Sequence, residues 1–429
     1  MNQNDLKYKA YISILNEELI PAMGCTEPIA LALAAAKARE ILGDMPDSIL
    51  IQASGSIIKN VKSVIVPNTD YLKGIPAAVV AGIIAGNPDK NLEVISNTTP
   101  DQIQKINEFL QVANIKVQPL DSGITFDIII TLRKDEHYSK VRIANYHTNI
   151  VLIEKDGNVL LQSEVKGESE EGLTNRSLLS MKDIWNFIHS VYINDIKEVL
   201  QRQIDYNTAI SEAGLEGDYG ANIGKVLLNT YGNDLNIRAK AKAAAGSDAR
   251  MNGCELPVII NSGSGNQGIT CSVPVIEYAK DKNVGEDKLY RALALSNLVT
   301  IYLKTGIGRL SAYCGVVSAG AGAGAGIAYI CTGDYDYVIH TIVNSLAIVS
   351  GIVCDGAKSS CAAKIASSVD AAILGFNMYK NGQQFYGGDG IVMKDIEATI
   401  QSIGRLGREG MRQTNDEIIH IMTGTGMKN

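Results

Sequence analysis

The sequence predicts an α+β fold, in which a mainly helical domain is interrupted by an inserted α/β-sandwich-like domain. Three observations support this fold class. Strong helix formers fill the first 46 residues, Val- and Ile-rich segments with period-two alternation follow from 47 to 170, and helical patterns dominate from 176 to 429. A chain of 429 residues can bury a sizeable core across such domains.

The first 46 residues predict two helices that belong with the C-terminal helical domain. The two segments read YKAYISILNEELIPAM and CTEPIALALAAAKAREILG. Gly43 is expected to end the second helix, because glycine readily adopts the left-handed conformation that follows a helix.

Residues 47–170 are expected to form a separate α+β domain. We predict strands in ILIQASGSIIKN, SVIVPN, LEVIS, GITFDIIITLRK, SKVRIANY and TNIVLIEKDGNVLLQSE. The Asp-Gly pair in the last of these is typical of a hairpin turn. Helical patterns also occur here, in IPAAVVAGIIAG and PDQIQKINEFLQVAN.

The second helical region runs from 176 to 429, after the acidic and polar segment 163–177, which we interpret as a solvated linker. Within it, residues 310–333 contain no charge and are mostly Gly, Ala and Ser. Their length alone would allow a membrane span. Such small residues offer little apolar area, so the pattern favours a central helix that neighbouring helices pack closely.

Composition and charge limit the partners. A net charge of −7 leaves no excess of Lys and Arg for binding phosphates, so we expect no nucleic acid. The N-terminus lacks the basic and apolar regions of a signal peptide, which predicts a cytoplasmic protein and no membrane. The seven cysteines are an odd number, which disfavours a disulfide framework and favours metal or thiol chemistry.

Cys25, in the segment PAMGCTEP, is the first candidate catalytic residue. It stands at the start of a predicted helix, where unsatisfied N–H groups and the helix dipole favour an anion. A thiol at this position is expected to have a lowered pKa. The alternative is a small residue tolerated at a turn.

The Gly-rich segment SGSGNQG, residues 262–268, is the second candidate site. Its backbone N–H groups and short polar side chains can surround a carboxylate or a phosphate. It lacks the Gly-Lys-Ser/Thr ending of a P-loop, and a purely structural loop is the alternative. Just upstream, Arg250 either pairs with Asp248 or holds a substrate carboxylate.

The segment CDGAKSSC, residues 354–361, is the third candidate site. In a helix, its two cysteines would lie about 10 Å apart along the axis, too far for one zinc ion. The Asp355–Gly356 pair predicts a loop instead, which can direct both thiols at an iron–sulfur cluster. His147, in strand-like sequence, is expected to be structural.

Six segments together resemble the L-cysteine desulfidase family, which is similar to the catalytic alpha chain of iron–sulfur L-serine dehydratases. These segments are PAMGCTEP, NYHTNIVLIE, SDARMNG, NSGSGNQGIT, RLSAYC and CDGAKSSCAAK, and they occur in the same order over nearly the whole chain.

The resemblance implies a 4Fe-4S cluster held by three cysteines, which fall on Cys314, Cys354 and Cys361. It also implies that Cys25 is the catalytic base. The residues expected to bind a small amino-acid substrate are Arg250, Ser262, Gly263, Ser264, Gly265, Asn266 and Gln267. The remaining cysteines have no implied role.

The implied activity is β-elimination of L-cysteine to pyruvate, ammonia and sulfide in a helical iron–sulfur catalytic domain. An L-serine dehydratase would use the same cluster on a hydroxyl leaving group. A non-catalytic iron–sulfur sensor is the alternative from another class, and a membrane transporter is a further one. Whether the protein is a homo-oligomer stays open.

Overall fold

The computed structural model describes residues 1–165 and 173–423, and about 60% of the chain is helical with 12% in strands. This composition confirms the α+β class. The first 112 residues contain five α-helices: α1 (Leu6–Glu18), α2 (Thr26–Leu42), α3 (Gly55–Val61), α4 (Gly74–Ala85) and α5 (Pro100–Val112). Short 3₁₀ turns span Pro88–Glu93, Arg176–Leu178 and Ile193–Asp195.

One six-stranded mixed sheet forms the centre of the α+β part. Its strands are β2 (Ser48–Ala53), β3 (Asn114–Pro119), β4 (Asp127–Lys134), β5 (His137–Ala144), β6 (Ile150–Lys155) and β7 (Asn158–Gln162). Their order in the sheet is β3-β2-β4-β5-β6-β7, with β2 parallel to β3 and every other pair antiparallel. Helices α2 and α4 pack together, and α2 also covers β4 and β5.

The helical part contains α6 to α16. These are α6 (Met181–Ser190), α7 (Lys197–Glu216), α8 (Ile223–Tyr231), α9 (Leu235–Met251), α10 (Gly265–Asp281), α11 (Glu286–Ile307), α12 (Gly315–Thr332), α13 (Tyr335–Ile348), α14 (Cys361–Lys380), α15 (Ile396–Arg405) and α16 (Arg412–Thr423). A short π-helical turn, Leu406–Gly410, follows α15.

Helix α12 lies at the centre of this part and contacts α10, α11, α13 and α14. It is the one helix of the described ranges with the length and hydropathy of a membrane span, and 83% of it is buried within the protein. Its glycines allow close contacts, since a Cβ on Gly322 would lie 2.2 Å from Thr300 Oγ1. The small-residue pattern therefore forms a packed core helix, as predicted.

The two parts are connected by a short antiparallel pair, β1 (Pro21–Met23) with β8 (Pro257–Ile259). Helix α1 packs against α6 and α11, whereas α2 packs against the sheet. The boundaries 1–46, 47–170 and 176–429 stay predictions for the division into domains.

Several local predictions are confirmed. Helix α2 ends at Gly43, whose φ is 87°. The Asp156–Gly157 turn joins β6 to β7 with both residues at positive φ, which is the geometry of a type I′ hairpin turn.

Other local predictions are wrong. The first helix ends at Glu18, since Pro21 starts a strand instead. GSIIKN forms α3, because the Ser54 side chain caps that helix by accepting from Ile57 N. SVIVPN contributes only the isolated bridge Ile65↔Lys73, and LEVIS lies in a 3₁₀ turn and the residues after it.

The predicted linker 163–177 lies partly outside the described residues. Its described end is anchored rather than solvated: Thr174 Oγ1 donates to Glu17 Oε1 at 2.7 Å, and the buried Arg176 donates to Glu18 Oε1 at 2.7 Å.

Candidate active site

A cavity of about 90 Å³ lies where α2, α10, α12 and the loop before α14 meet, which is room for a few water molecules or a small ligand. All the predicted site residues except Gly265 line it: Cys25, Arg250, Ser262, Gly263, Ser264, Asn266, Gln267, Cys314, Cys354 and Cys361. They come from segments up to 336 positions apart in the chain, between Cys25 and Cys361.

An antiparallel bridge between Tyr313 and Val353 sets Cys314 beside Cys354. Cys314 N donates to Ile352 O at 2.9 Å, and Cys354 N donates to Ala312 O at 2.7 Å. Cys314 immediately precedes α12, and Cys361 is the first residue of α14. The residues between Cys354 and Cys361 form a loop, as the Asp-Gly pair predicts.

The electrostatics of the cysteines favour a thiolate at Cys354. The neighbouring Cys314 thiol, together with the nearby charges of Lys59 and Lys304, lowers the pKa of Cys354 to about 5. The neighbouring Cys354 and burial raise the pKa of Cys314. Of the two thiols, Cys354 is therefore the more acidic.

This donor set fits a cluster better than a single ion. Within the described ranges, no three His, Cys, Asp or Glu side chains are close enough to hold one metal ion. Three thiols nevertheless face one cavity, and soft thiolates are the ligands that iron–sulfur clusters prefer.

Six buried polar atoms that belong to lining residues have no hydrogen-bond partner in the described part of the chain. They are Asn60 Oδ1, His147 Nε2, Arg250 Nε, Asn266 Oδ1, Gln267 Oε1 and Tyr313 Oη. Buried polar groups are nearly always hydrogen-bonded, so these atoms indicate that the cavity accommodates a polar ligand.

Arg250 lies at the end of α9 and is only 4% exposed. It forms no ion pair with Asp248, whose carboxylate accepts from Gly224 N at 3.1 Å at the start of α8. Gly265 allows the guanidinium to approach the cavity, since a Cβ there would lie 2.3 Å from Arg250 Nε. Arg250 therefore does not pair with Asp248, and its guanidinium is available to bind a ligand.

The Gly-rich segment is a strand–turn–helix unit rather than an extended loop. β8 precedes it, Ser262 and Gly263 have φ values of 50° and 79°, and α10 begins at Gly265. The first N–H groups of α10 are near the cavity, where the helix dipole favours an anion.

Cys25 directly precedes α2, but its pKa is raised well above the ordinary value. Burial is the main cause, and the neighbouring Glu27 carboxylate adds to it. The prediction that the helix end lowers the pKa of Cys25 is therefore wrong. The thiol donates to Glu27 Oε2 at 3.1 Å, so the proton of Cys25 is held against a carboxylate.

Sequence reasoning gave Glu27 no role and interpreted His147 as structural, yet both line the cavity. Burial alone would raise the pKa of Glu27, but its neighbours, among them His147 and the donors Cys25 and Asn60, lower it. Asn60 Nδ2 donates to Glu27 Oε1 at 2.9 Å. Burial lowers the pKa of His147 to about 4, so its imidazole is neutral at neutral pH.

Comparison with known proteins decides the family. The model of the serine dehydratase alpha chain matches residues 89–420. The chain belongs to the serine dehydratase alpha chain family. This membership supports a lyase of the serine dehydratase type, and the family is generally iron–sulfur dependent.

Close relatives of this serine dehydratase family member cover almost the whole chain. A UPF0597 protein of Desulfitobacterium hafniense (strain Y51) is 61% identical over 98% of both chains. A UPF0597 protein of Lachnoclostridium phytofermentans is 52% identical over 97% of this chain and 99% of its own. A third UPF0597 protein, from Treponema denticola, is 46% identical over 98% of this chain and 99% of its own. The names of these relatives state no activity.

Proposed function

We propose that this protein is an iron–sulfur L-cysteine desulfidase, which converts L-cysteine and water into pyruvate, ammonia and sulfide. The observation that carries the proposal is the convergence on one cavity of three thiols, Cys25 and the buried guanidinium of Arg250, which has no carboxylate partner among the described residues. Cys314, Cys354 and Cys361 would hold a 4Fe-4S cluster. When bound, the cluster supplies a Lewis-acidic iron that favours departure of the β-substituent.

Arg250 and the start of α10 would bind the substrate carboxylate. A guanidinium matches the geometry of a carboxylate with two parallel hydrogen bonds, and the first N–H groups of α10 add further donors. The orphaned Asn266 and Gln267 oxygens can accept from the substrate ammonium. These contacts would fix the α-carbon relative to Cys25.

Cys25 and Glu27 would handle the α-proton. Glu27 would orient the Cys25 thiol through their hydrogen bond, and a thiolate at Cys25 would remove the proton from the α-carbon. Loss of the β-sulfur as sulfide then gives aminoacrylate, which hydrolyses to pyruvate and ammonia. Burial and the Glu27 carboxylate raise the pKa of Cys25, whereas the positive charge of Arg250 lowers it, so Arg250 is the neighbour that would favour the thiolate.

L-Serine is the second candidate substrate, and the family match favours it. The same residues would bind serine, with hydroxide in place of sulfide as the leaving group. Cysteine is our first choice because a thiolate is a better leaving group and a softer ligand for iron than hydroxide. We further propose that the protein acts in the cytoplasm without a nucleic acid or a membrane.

Anaerobic turnover tests these proposals. The protein is reconstituted with iron and sulfide, and pyruvate is measured with L-cysteine and with L-serine. Cys354→Ala is expected to lose the cluster and activity, and Cys25→Ala to lose activity with its cluster retained. Cys331→Ala, a change at an exposed thiol, is the control and should match the wild type. A visible cluster with no pyruvate from either amino acid would favour the sensor and contradict the proposal.

A further inference from the structure

Two buried lysines lie beside the predicted cluster ligands. Lys59 on α3 is 3% exposed and Lys304 on α11 is 4% exposed, and both line the cavity. Lys59 Nζ donates to Asn415 Oδ1 at 2.8 Å and lies 3.4 Å from Cys354 O. Their charges act on the thiols of Cys314 and Cys354.

Neither lysine has a carboxylate within ion-pair distance in the described part of the chain, and the Lys304 side chain makes no hydrogen bond there. Buried ammonium groups are almost always paired, because removing an isolated charge from water is costly.

Two other lysines near the same loop show the contrast. Lys358 lies 3.0 Å from Asp355, and Lys364 also pairs with Asp355. Lys358 and Lys364 are therefore paired with a carboxylate, whereas Lys59 and Lys304 are not paired with one in the described residues. The carboxylate that lines the cavity, Glu27, is already bonded to Cys25 and Asn60. The negative charge beside the two lysines must therefore come largely from the cysteine thiolates and from what they hold.

We propose that Lys59 and Lys304 balance the negative charge of the thiolate-held cluster, slow its loss and raise its reduction potential. The inference rests on the proposed cluster. Three thiolates outweigh the positive charge of a 4Fe-4S core, which leaves a net negative group beside the two lysines, and net charge is one of the determinants of cluster potential. Groups outside the ligand shell commonly change metal affinity by about 10- to 100-fold.

The test compares Lys304→Met and Lys59→Met with Lys62→Met. Lys62 is an exposed lysine at the end of α3 whose amine bonds a backbone carbonyl, so it controls for charge removal elsewhere on that helix. After anaerobic reconstitution, iron per chain, the rate of cluster loss to a chelator and the reduction potential are measured. Lys304→Arg tests rescue by a conserved charge.

We expect cluster loss about tenfold faster or more in each buried-lysine variant, with a more negative potential. Lys304→Arg should restore both values, and Lys62→Met should match the wild type. Cluster kinetics and potentials equal to those of Lys62→Met would overturn the inference. An unchanged potential with a raised KM for the amino acid would also overturn it and assign Lys304 to the substrate. Failure of the wild-type protein to take up any cluster would instead overturn the proposed function, and this inference with it.

Discussion

Arg250 offers a change whose effects on activity and on stability should separate. Arg250→Met removes a guanidinium that is buried, faces the cavity and has no carboxylate partner in the described chain. Losing a desolvated contact to a substrate carboxylate typically costs about 2–5 kcal/mol. At about 1.36 kcal/mol per tenfold, kcat/KM should fall about 30-fold to 5,000-fold.

Stability should respond in the opposite way. No protein carboxylate is left unpaired by Arg250→Met, and removing an uncompensated buried cation is neutral or stabilising. The matched control is Arg238→Met on the same helix, which breaks contacts of 3.1 Å to Glu277 and 3.0 Å to Asp281. This control should lose about 1 kcal/mol of stability and change kcat/KM little.

Steady-state kinetics and chemical unfolding of both variants provide the assay. We expect the loss in Arg250→Met to appear largely in KM, since a carboxylate contact holds substrate before and during the reaction. Arg250→Lys should recover only part of it, because lysine lacks the two-pronged geometry. The reasoning is refuted if kcat/KM of Arg250→Met stays within about threefold of the wild type or of the Arg238→Met value.

Three further changes test other parts of the account. Gly263→Ala should lower activity, because its Cβ would lie 2.9 Å from the His147 ring, whereas Gly157→Ala, at a similar positive φ in open space, should cost only about 1 kcal/mol of stability and no activity. Burial raises the pKa of Asp248 to about 6 from 3.8, so its carboxylate costs stability that is absent at low pH and fully present above pH 6. Asp248→Asn should therefore raise the free energy of unfolding by about 3 kcal/mol at pH 7.5 and by about half that amount at pH 5. An equal increase at both pH values would contradict the raised pKa of Asp248. Glu27→Gln should lower turnover but keep the visible cluster, because it removes the carboxylate that orients the Cys25 thiol, and full turnover would show that Cys25 does not need this hydrogen bond.

Features fixed by neighbouring residues could be predicted from the sequence. Gly43 ends α2 and the Asp156–Gly157 pair makes a hairpin turn, since each depends on local backbone preference. The loop between Cys354 and Cys361 follows from Asp355–Gly356 in the same way. The segments SVIVPN and LEVIS were wrongly predicted to be strands. They are short, largely buried apolar runs without a partner strand, and burial alone does not make a strand.

Features that depend on tertiary contacts could not be predicted. The position of Cys25 at a helix end indicates a lowered pKa, but burial against Glu27 reverses the direction. The proximity of Lys59 and Lys304 to Cys354 depends on the packing of α3 and α11, which are far apart in the sequence. A single histidine in strand-like sequence gives no sign of its surroundings. The position of His147 beside the Gly-rich turn, with Nε2 lacking a partner among the described residues, depends on the tertiary fold.

The most direct test of the central claim combines cluster content and turnover in one anaerobic sample of reconstituted wild-type protein. Iron, acid-labile sulfide, pyruvate and released sulfide are quantified before and after addition of L-cysteine. The account predicts about four irons per chain, as the 4Fe-4S assignment requires, and equal amounts of pyruvate and sulfide from L-cysteine. A fully loaded protein that yields neither pyruvate nor sulfide, or undiminished turnover in protein stripped of iron, would contradict it.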